Sequence, residues 1–287
     1  MYPIDEVGVM ASPSNDCVSL SSQTEMDRMD LLNETINRAR KQQFHKYSLP
    51  SEDNDLRILD LGTGTGIWAI TMADQYPKAE VIGMDLANIQ PASIPPNLRF
   101  KVPRDWESPW SYGQESFDLI HLRMGCGAVS SWPELFHNVL MHLKPHTGRI
   151  EWVEVDYEPR NAGNVPFPRN MALQRWYSHL KDATMRIERN MEYPSGNKEL
   201  LRTLGFVDIQ EEIIRLPLRE WPSNRPTSTH ERDIGRWWGT ALHDGLEALC
   251  LQPFNKLFQW PPADIRRYVE EVKANIRDRR FLIYNNL

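Results

Sequence analysis

The chain is short of the features that mark several classes of protein. Its 287 residues hold only three cysteines, Cys17, Cys126 and Cys250. They stand too far apart to make a metal-ligand pair, which argues against a zinc or disulfide framework, and free thiols suit a reducing compartment. No apolar run approaches the roughly 18 residues that a membrane span needs. The opening residues, Met1-Tyr2-Pro3-Ile4-Asp5-Glu6, carry acids where a secretory leader carries Lys or Arg. Basic residues are also outnumbered: 33 Lys and Arg against 39 Asp and Glu give a net charge of −6, without the basic face that displaces counterions from nucleic acid. The expectation is an intracellular, soluble protein with no metal, no membrane partner and no direct nucleic-acid binding.

Apolar residues make up 40 % of the chain and charged residues 25 %, the balance of a folded globular protein. Ten tryptophans lie between Trp68 and Trp260 and read as core or groove walls. Residues 8–24 are Ser-rich and lack apolar periodicity, so 1–24 reads as a flexible segment. Met29, Leu32 and Ile36 then recur at helical spacing, which predicts a helix within 25–50, ending before Pro50.

Strand–helix alternation follows. Strands are expected at 57–61, 80–85, 98–102, 117–122 and 148–157, with helices at 67–75 and 132–143. Apolar strands alternating with helices predict an α/β core over 51–160: a mostly parallel, Rossmann-like sheet with helices on both faces. From 161 to 287 the pattern becomes a C-terminal helical addition with the remaining sheet strand: helices at 171–188, 231–251 and 263–277, and a strand at 206–216.

The chemistry concentrates in Asp60-Leu61-Gly62-Thr63-Gly64-Thr65-Gly66. Alternate glycines after a strand let the backbone turn sharply and approach a ligand where a Cβ would collide. The spacing is G-x-G-x-G rather than the dinucleotide G-x-G-x-x-G, since Ile67 stands where that fingerprint needs its third glycine. Asp85 ends the next strand, where an acid meets ribose hydroxyls in nucleotide-binding α/β folds. Together these features point to an adenosine-containing cofactor. Bland readings stand beside them: Asp60 and Asp105 serve equally well as turn or helix caps, and Trp68 and Trp106 as walls.

This arrangement resembles the class I S-adenosylmethionine-dependent methyltransferases. The resemblance implies that Asp60 organises the methionine end of S-adenosyl-L-methionine and that Gly62, Thr63, Gly64 and Gly66 pass beneath it. Asp85, with Leu86 after it, would hold the ribose; Asp105 and Trp106 would read and cover the adenine; His121 would border the methionine moiety. Further motifs narrow it: Glu25-Met26-Asp27-Arg28-Met29-Asp30, Asp85-Leu86-Ala87-Asn88-Ile89-Gln90-Pro91, Glu107-Ser108-Pro109-Trp110, His121-Leu122-Arg123-Met124-Gly125-Cys126-Gly127 and Val153-Glu154-Val155-Asp156-Tyr157-Glu158-Pro159-Arg160. These are similar to the fungal LaeA-like methyltransferases across residues 25–287. That family implies a nuclear regulator of secondary metabolism working with velvet-type proteins, with the cytoplasm as a second location.

Departures from the family pattern generate further expectations. Asn33 stands where relatives commonly have His. Residues 8–24 interrupt a motif that is otherwise continuous, which suggests a retained intron. No strand is expected after 206–216, so the chain is read as shortened just where a final antiparallel strand should begin. The methyl acceptor, protein or small molecule, and any catalytic base are left open; His121, His142, Glu154 and Asp156 are the candidates on the acceptor side. A small-molecule methyltransferase and a cofactor-binding scaffold are the alternative readings.

Overall fold

A computed structural model describes residues 23–47, 49, 55–222 and 228–287. Five parallel strands form the first sheet: β1 (Arg57–Leu61), β2 (Glu80–Met84), β3 (Leu98–Lys101), β4 (Leu119–Arg123) and β5 (Arg149–Val153). They lie in the order β3-β2-β1-β4-β5, so the chain reverses its winding between β1 and β4. Ligands in open α/β sheets bind beyond the carboxyl ends of strands at such a switch point.

Alternation along the strands sends side chains to opposite faces. Ile58, Val81 and Leu119 pack with Trp68 and Met72 of α2 (Ile67–Gln75), whereas Leu59, Ile82 and Ile120 pack with Leu135 and Val139 of α3 (Trp132–His142). Helix α3 begins at Ser131, whose hydroxyl caps it, with a proline in its first turn.

A second sheet carries β6 (Asp156–Asn161), β7 (Arg215–Pro217) and β8 (Ile283–Asn286), ordered β6-β8-β7 with β8 antiparallel to both neighbours. Its apolar side merges with α4 (Ala172–Arg186), α6 (Thr229–Phe258) and α7 (Pro262–Arg277) in one core built around Trp176, Trp238 and Phe254. Helix α1 (Gln23–Ala39) packs on α6, and α5 (Asn197–Leu204) on α3.

The structure corrects several expectations. A strand does follow β7: Ile283–Asn286 lies between β6 and β7, so the expectation of no strand after 206–216 was wrong. Four residues are too short a pattern to recognise. The expected strand at 206–216 shrinks to Arg215–Pro217, and the single strand at 148–157 is two, handing over from one sheet to the other at Glu154 and Val155. Helix α1 stops at Ala39, well short of Pro50, because Lys41 and Gln42 take left-handed backbone conformations. Helix α6 runs to Phe258 through Pro253, past the expected end at 251, and α5 was not anticipated. The reading of residues 8–24 falls outside the described residues, except that Gln23 and Thr24 open α1.

Candidate cofactor and acceptor site

The glycine turn leaves β1 with alternate residues in the left-handed region: Gly62, Gly64 and Gly66 have φ of 67°, 57° and 83°. The two later glycines are needed for different reasons. A Cβ on Gly66 would overlap the ring of Phe100, so this glycine brings α2 close to β3. A Cβ on Gly64 would meet only the terminal methyl of Met29. That leaves Gly64 as the place where the backbone can come against a ligand, with only a flexible side chain in between.

Asp60 sits at the end of β1, 3 % exposed. One carboxylate oxygen accepts the Thr63 hydroxyl at 2.6 Å and the other faces His121 Nδ1 at 2.7 Å. A carboxylate can only accept, so Nδ1 carries the hydrogen. Burial pushes the His121 pKa down against the pull of Asp60, which keeps the ring neutral. The ring stacks on Trp68 with centroids 3.7 Å apart, and its Nε2 is buried without a hydrogen-bond partner. His121 therefore stands behind Asp60 and fixes its orientation.

Asp85 lies past the end of β2, half-buried. Its Oδ2 accepts the Gly64 N–H and its Oδ1 the Ala87 N–H, both at 2.8 Å. Gln90 completes the tie by donating to the carbonyls of Gly64 and Ala87. The acid thus braces the turn while its remaining lone pairs stay available to hydroxyl donors. Asp85→Ala is expected to weaken binding of S-adenosyl-L-methionine by about 1.5–3 kcal/mol, the worth of hydrogen bonds to a charged group. Isothermal titration checks this, and unchanged affinity would remove Asp85 from the site.

The remaining expected contacts are more spread. Trp106 is buried beside Gly62, with its indole nitrogen 3.9 Å from where a Cβ would stand. Asp105 is exposed and accepts from the Glu107 N–H and the Ser108 hydroxyl, the capping role that its sequence also allowed. Leu86, directly after Asp85, is 63 % exposed, a large apolar side chain on the rim of the turn.

Helix α1 roofs the site, which the sequence reading did not assign. Met29 lies on Gly64, Asp30 accepts the Thr65 hydroxyl at 2.6 Å, and Asn33 accepts from Arg123, at the end of β4, at 2.6 Å. Burial pulls the Arg123 guanidinium down to about 10, still a cation at neutral pH. Asn33, the departure from the family pattern, thus ties roof to sheet. The signal was in the acidic stretch 25–30, which was recognised as a motif but not as a wall.

A family profile described as "Methyltransferase domain" matches residues 32–211. The chain is 49 % identical to "Secondary metabolism regulator LAE1" of Cochliobolus heterostrophus, covering all of this chain and 87 % of that protein. The chain belongs to the LaeA/LAE1 secondary metabolism regulators. It is 40 % identical to "Secondary metabolism regulator laeA" of Aspergillus flavus over all of this chain and 74 % of that protein. It is 39 % identical to "Protein-methionine methyltransferase laeA" of Emericella nidulans over 92 % of this chain and 68 % of that protein. Among solved structures, phosphoethanolamine N-methyltransferase 2 of Haemonchus contortus aligns at 15 % identity and a TM-score of 0.49, covering 95 % of this chain and 59 % of that one.

The LaeA-type chain is therefore an S-adenosyl-L-methionine-dependent methyltransferase in class, and its turn suits that cofactor. Gly64 offers a backbone approach, Asp85 an acceptor pair for ribose hydroxyls, and Leu86 and Trp106 apolar surface for a purine.

Of the acceptor-side candidates, His142 is misplaced. It ends α3, its carbonyl bonds Ser116 and Phe117 before β4, and its ring nitrogen bonds the Asn138 carbonyl, so it lies at the opposite end of the strands from the turn. Asp156 is held by Arg160 at 2.6 Å. Glu154 does lie at the carboxyl end of β5, buried, accepting the N–H groups of Cys126 and Val155 and the indole of Trp152. Burial outweighs these donors and pushes its carboxyl up to about 7.

A raised carboxyl pKa has a definite sign. Between its ordinary 4.5 and about 7 the unfolded chain holds fewer protons than the folded one, so stability falls as pH rises through that window. Glu154→Gln should flatten the profile. Urea unfolding at pH 5 and pH 8 is expected to show the parent losing about 2–3 kcal/mol more than the variant, at 1.36 kcal/mol per pKa unit. Parallel profiles would mean that Glu154 is already ionised in the folded chain at pH 5.

Proposed function

We propose that this protein is a nuclear regulator of secondary metabolite gene expression that transfers methyl groups from S-adenosyl-L-methionine to a protein, in company with velvet-type partners. The observation that carries the reading is the intact cradle at Gly64, braced by Asp85 and Gln90, in a chain of the LaeA/LAE1 family.

The name of the Emericella nidulans relative points to methionine side chains as acceptors. That chemistry suits the site. When bound, the cofactor supplies an electrophilic methyl on a sulfonium sulfur, and a thioether acceptor has no proton to lose, so alignment rather than a general base sets the rate. The residues near the turn are arranged accordingly. His121 is neutral and turned to Asp60, and Glu154 is occupied by three N–H donors.

Incubation with methyl-labelled cofactor and fungal extract tests it. Label is expected in acid-precipitable protein, on methionine after proteolysis, and absent with Gly64→Val. Label confined to an extractable metabolite would favour a small-molecule methyltransferase, and no label despite cofactor binding a scaffold. Imaging of a tagged chain, with velvet-type proteins tested for co-purification, checks location and partners; exclusion from the nucleus would overturn that part.

A further inference from the structure

One cation beside the glycine turn has no counter-ion. Leu122 of β4 pairs with Leu61 of β1, so Arg123 follows it level with Gly62, the first glycine of the turn. The guanidinium is half-buried, and a guanidinium has five N–H donors. Among the described residues it makes one hydrogen bond, from Nη1 to the amide oxygen of Asn33 at 2.6 Å, and no ion pair. Asn33 is neutral and leaves the charge unanswered.

The neighbouring acids are committed elsewhere. Asp60 gives one oxygen to the Thr63 hydroxyl and the other to His121. Asp30 accepts the Thr65 hydroxyl, and the nearby Arg40 is itself paired with Glu151. Burial lowers the Arg123 pKa, and the more distant pull of Asp60 and Asp30 does not make good the loss. A cation drawn out of water without a partner is costly, and a cleft that keeps one is a candidate for ligand recognition.

The roof helix shows where the free donors lie. Met29 and Asn33 are four residues apart on α1, neighbours on one helix face about 6 Å apart along its axis. Met29 lies on Gly64 and Asn33 on Arg123, so the guanidinium stands about one helical turn from the place where the backbone can meet a ligand. The turn also runs into the N-terminus of α2, where Gly66 is the cap and no side chain accepts from the first N–H groups. That end of a helix favours negative charge as well.

S-adenosyl-L-methionine carries one anionic group, the α-carboxylate of its methionine end. Its adenine and ribose are neutral; its ammonium and sulfonium are cations. Only the carboxylate can answer the charge on Arg123.

We propose that Arg123 is the carboxylate receptor of the cofactor site, a specificity-determining residue that Asn33 of α1 holds in place. The assignment rests on reading the glycine turn as the S-adenosyl-L-methionine site and adds which cofactor group is read beside it.

Two ligands test it by titration calorimetry on the full chain: S-adenosylhomocysteine, and its decarboxylated form, which keeps the adenosine, thioether and amine. The parent is expected to prefer the carboxylate ligand by about tenfold to a hundredfold, the range for hydrogen bonds to a charged group. Arg123→Met should shrink that preference to about threefold or less, by losing affinity for S-adenosylhomocysteine while binding the decarboxylated ligand no more weakly. Arg123→Lys keeps the charge without the forked donors and should fall between the two; it carries the test if the Met variant does not fold. Asn33→Ala should weaken S-adenosylhomocysteine alone, since it frees the guanidinium without removing it.

Equal loss of both ligands in the Arg123 variants would make the residue merely structural and overturn the proposal. So would a preference that survives Arg123→Met, or a parent that binds both ligands equally well. A parent that binds neither would overturn the cofactor reading itself. Equal binding of both ligands by the parent, with Arg123→Met impairing only transfer to an acceptor, would overturn the assignment by giving the guanidinium to an acceptor carboxylate.

Discussion

Gly64→Val is expected to abolish binding of S-adenosyl-L-methionine while the protein stays folded. The new Cβ would point at the Met29 methyl, the free end of a flexible side chain, and no backbone or ring stands behind it. Placing valine at φ 57° costs about 1–2 kcal/mol, which a domain of ordinary stability survives. The same branched side chain fills the one place where the turn can come against the cofactor. Titration calorimetry should lose the binding signal, a drop of about two orders of magnitude or more in affinity, while circular dichroism and the melting transition stay close to the parent. Retained affinity would show that the cofactor does not pass over Gly64.

Gly66→Val should do the reverse and damage the fold first. Its Cβ would drive into the Phe100 ring from a residue at φ 83°. Phe100 also packs against Gly83, where a Cβ would meet the ring at 2.8 Å, so it cannot retreat into the sheet. Overpacking of a tight contact costs about 1–3 kcal/mol and a strained backbone a similar amount. The sum, about 3 kcal/mol or more, is a large part of typical domain stability. Thermal unfolding should shift down by roughly 6–12 °C at 2–4 °C per kcal/mol. A melting temperature equal to that of Gly64→Val would mean that α2 does not need its close approach to β3.

The contrast shows what the sequence could carry. Alternating glycines after an apolar strand, followed by an acid at the end of the next strand, named the turn, the fold and the cofactor class, because those requirements are local. The split between ligand-facing Gly64 and packing Gly66 was not local: it depends on Phe100, from a strand 34 residues on. His121 was legible as a residue at a strand end but not as the brace of Asp60, since its orientation comes from stacking on Trp68. The roof made by Met29, Asp30 and Asn33 was hidden for the same reason; a helical period tells which face is apolar, not what it covers. Strand β8 and the shortened β7 escaped because three or four residues carry too little pattern, and only the pairing of β8 with β6 and β7 defines them.

The position of α1 also sets an order of events during synthesis. The parallel sheet is encoded in one stretch, from Arg57 to Val153, and can assemble as soon as that stretch has left the ribosome. Residues 23–39 emerge before it, yet the helix they pack on, Thr229–Phe258, is made roughly 190 residues later. A nascent chain thus carries a finished glycine turn with its roof unsupported. The helix that roofs the turn gains its packing on α6 last, so the earliest-made helix is among the last to settle.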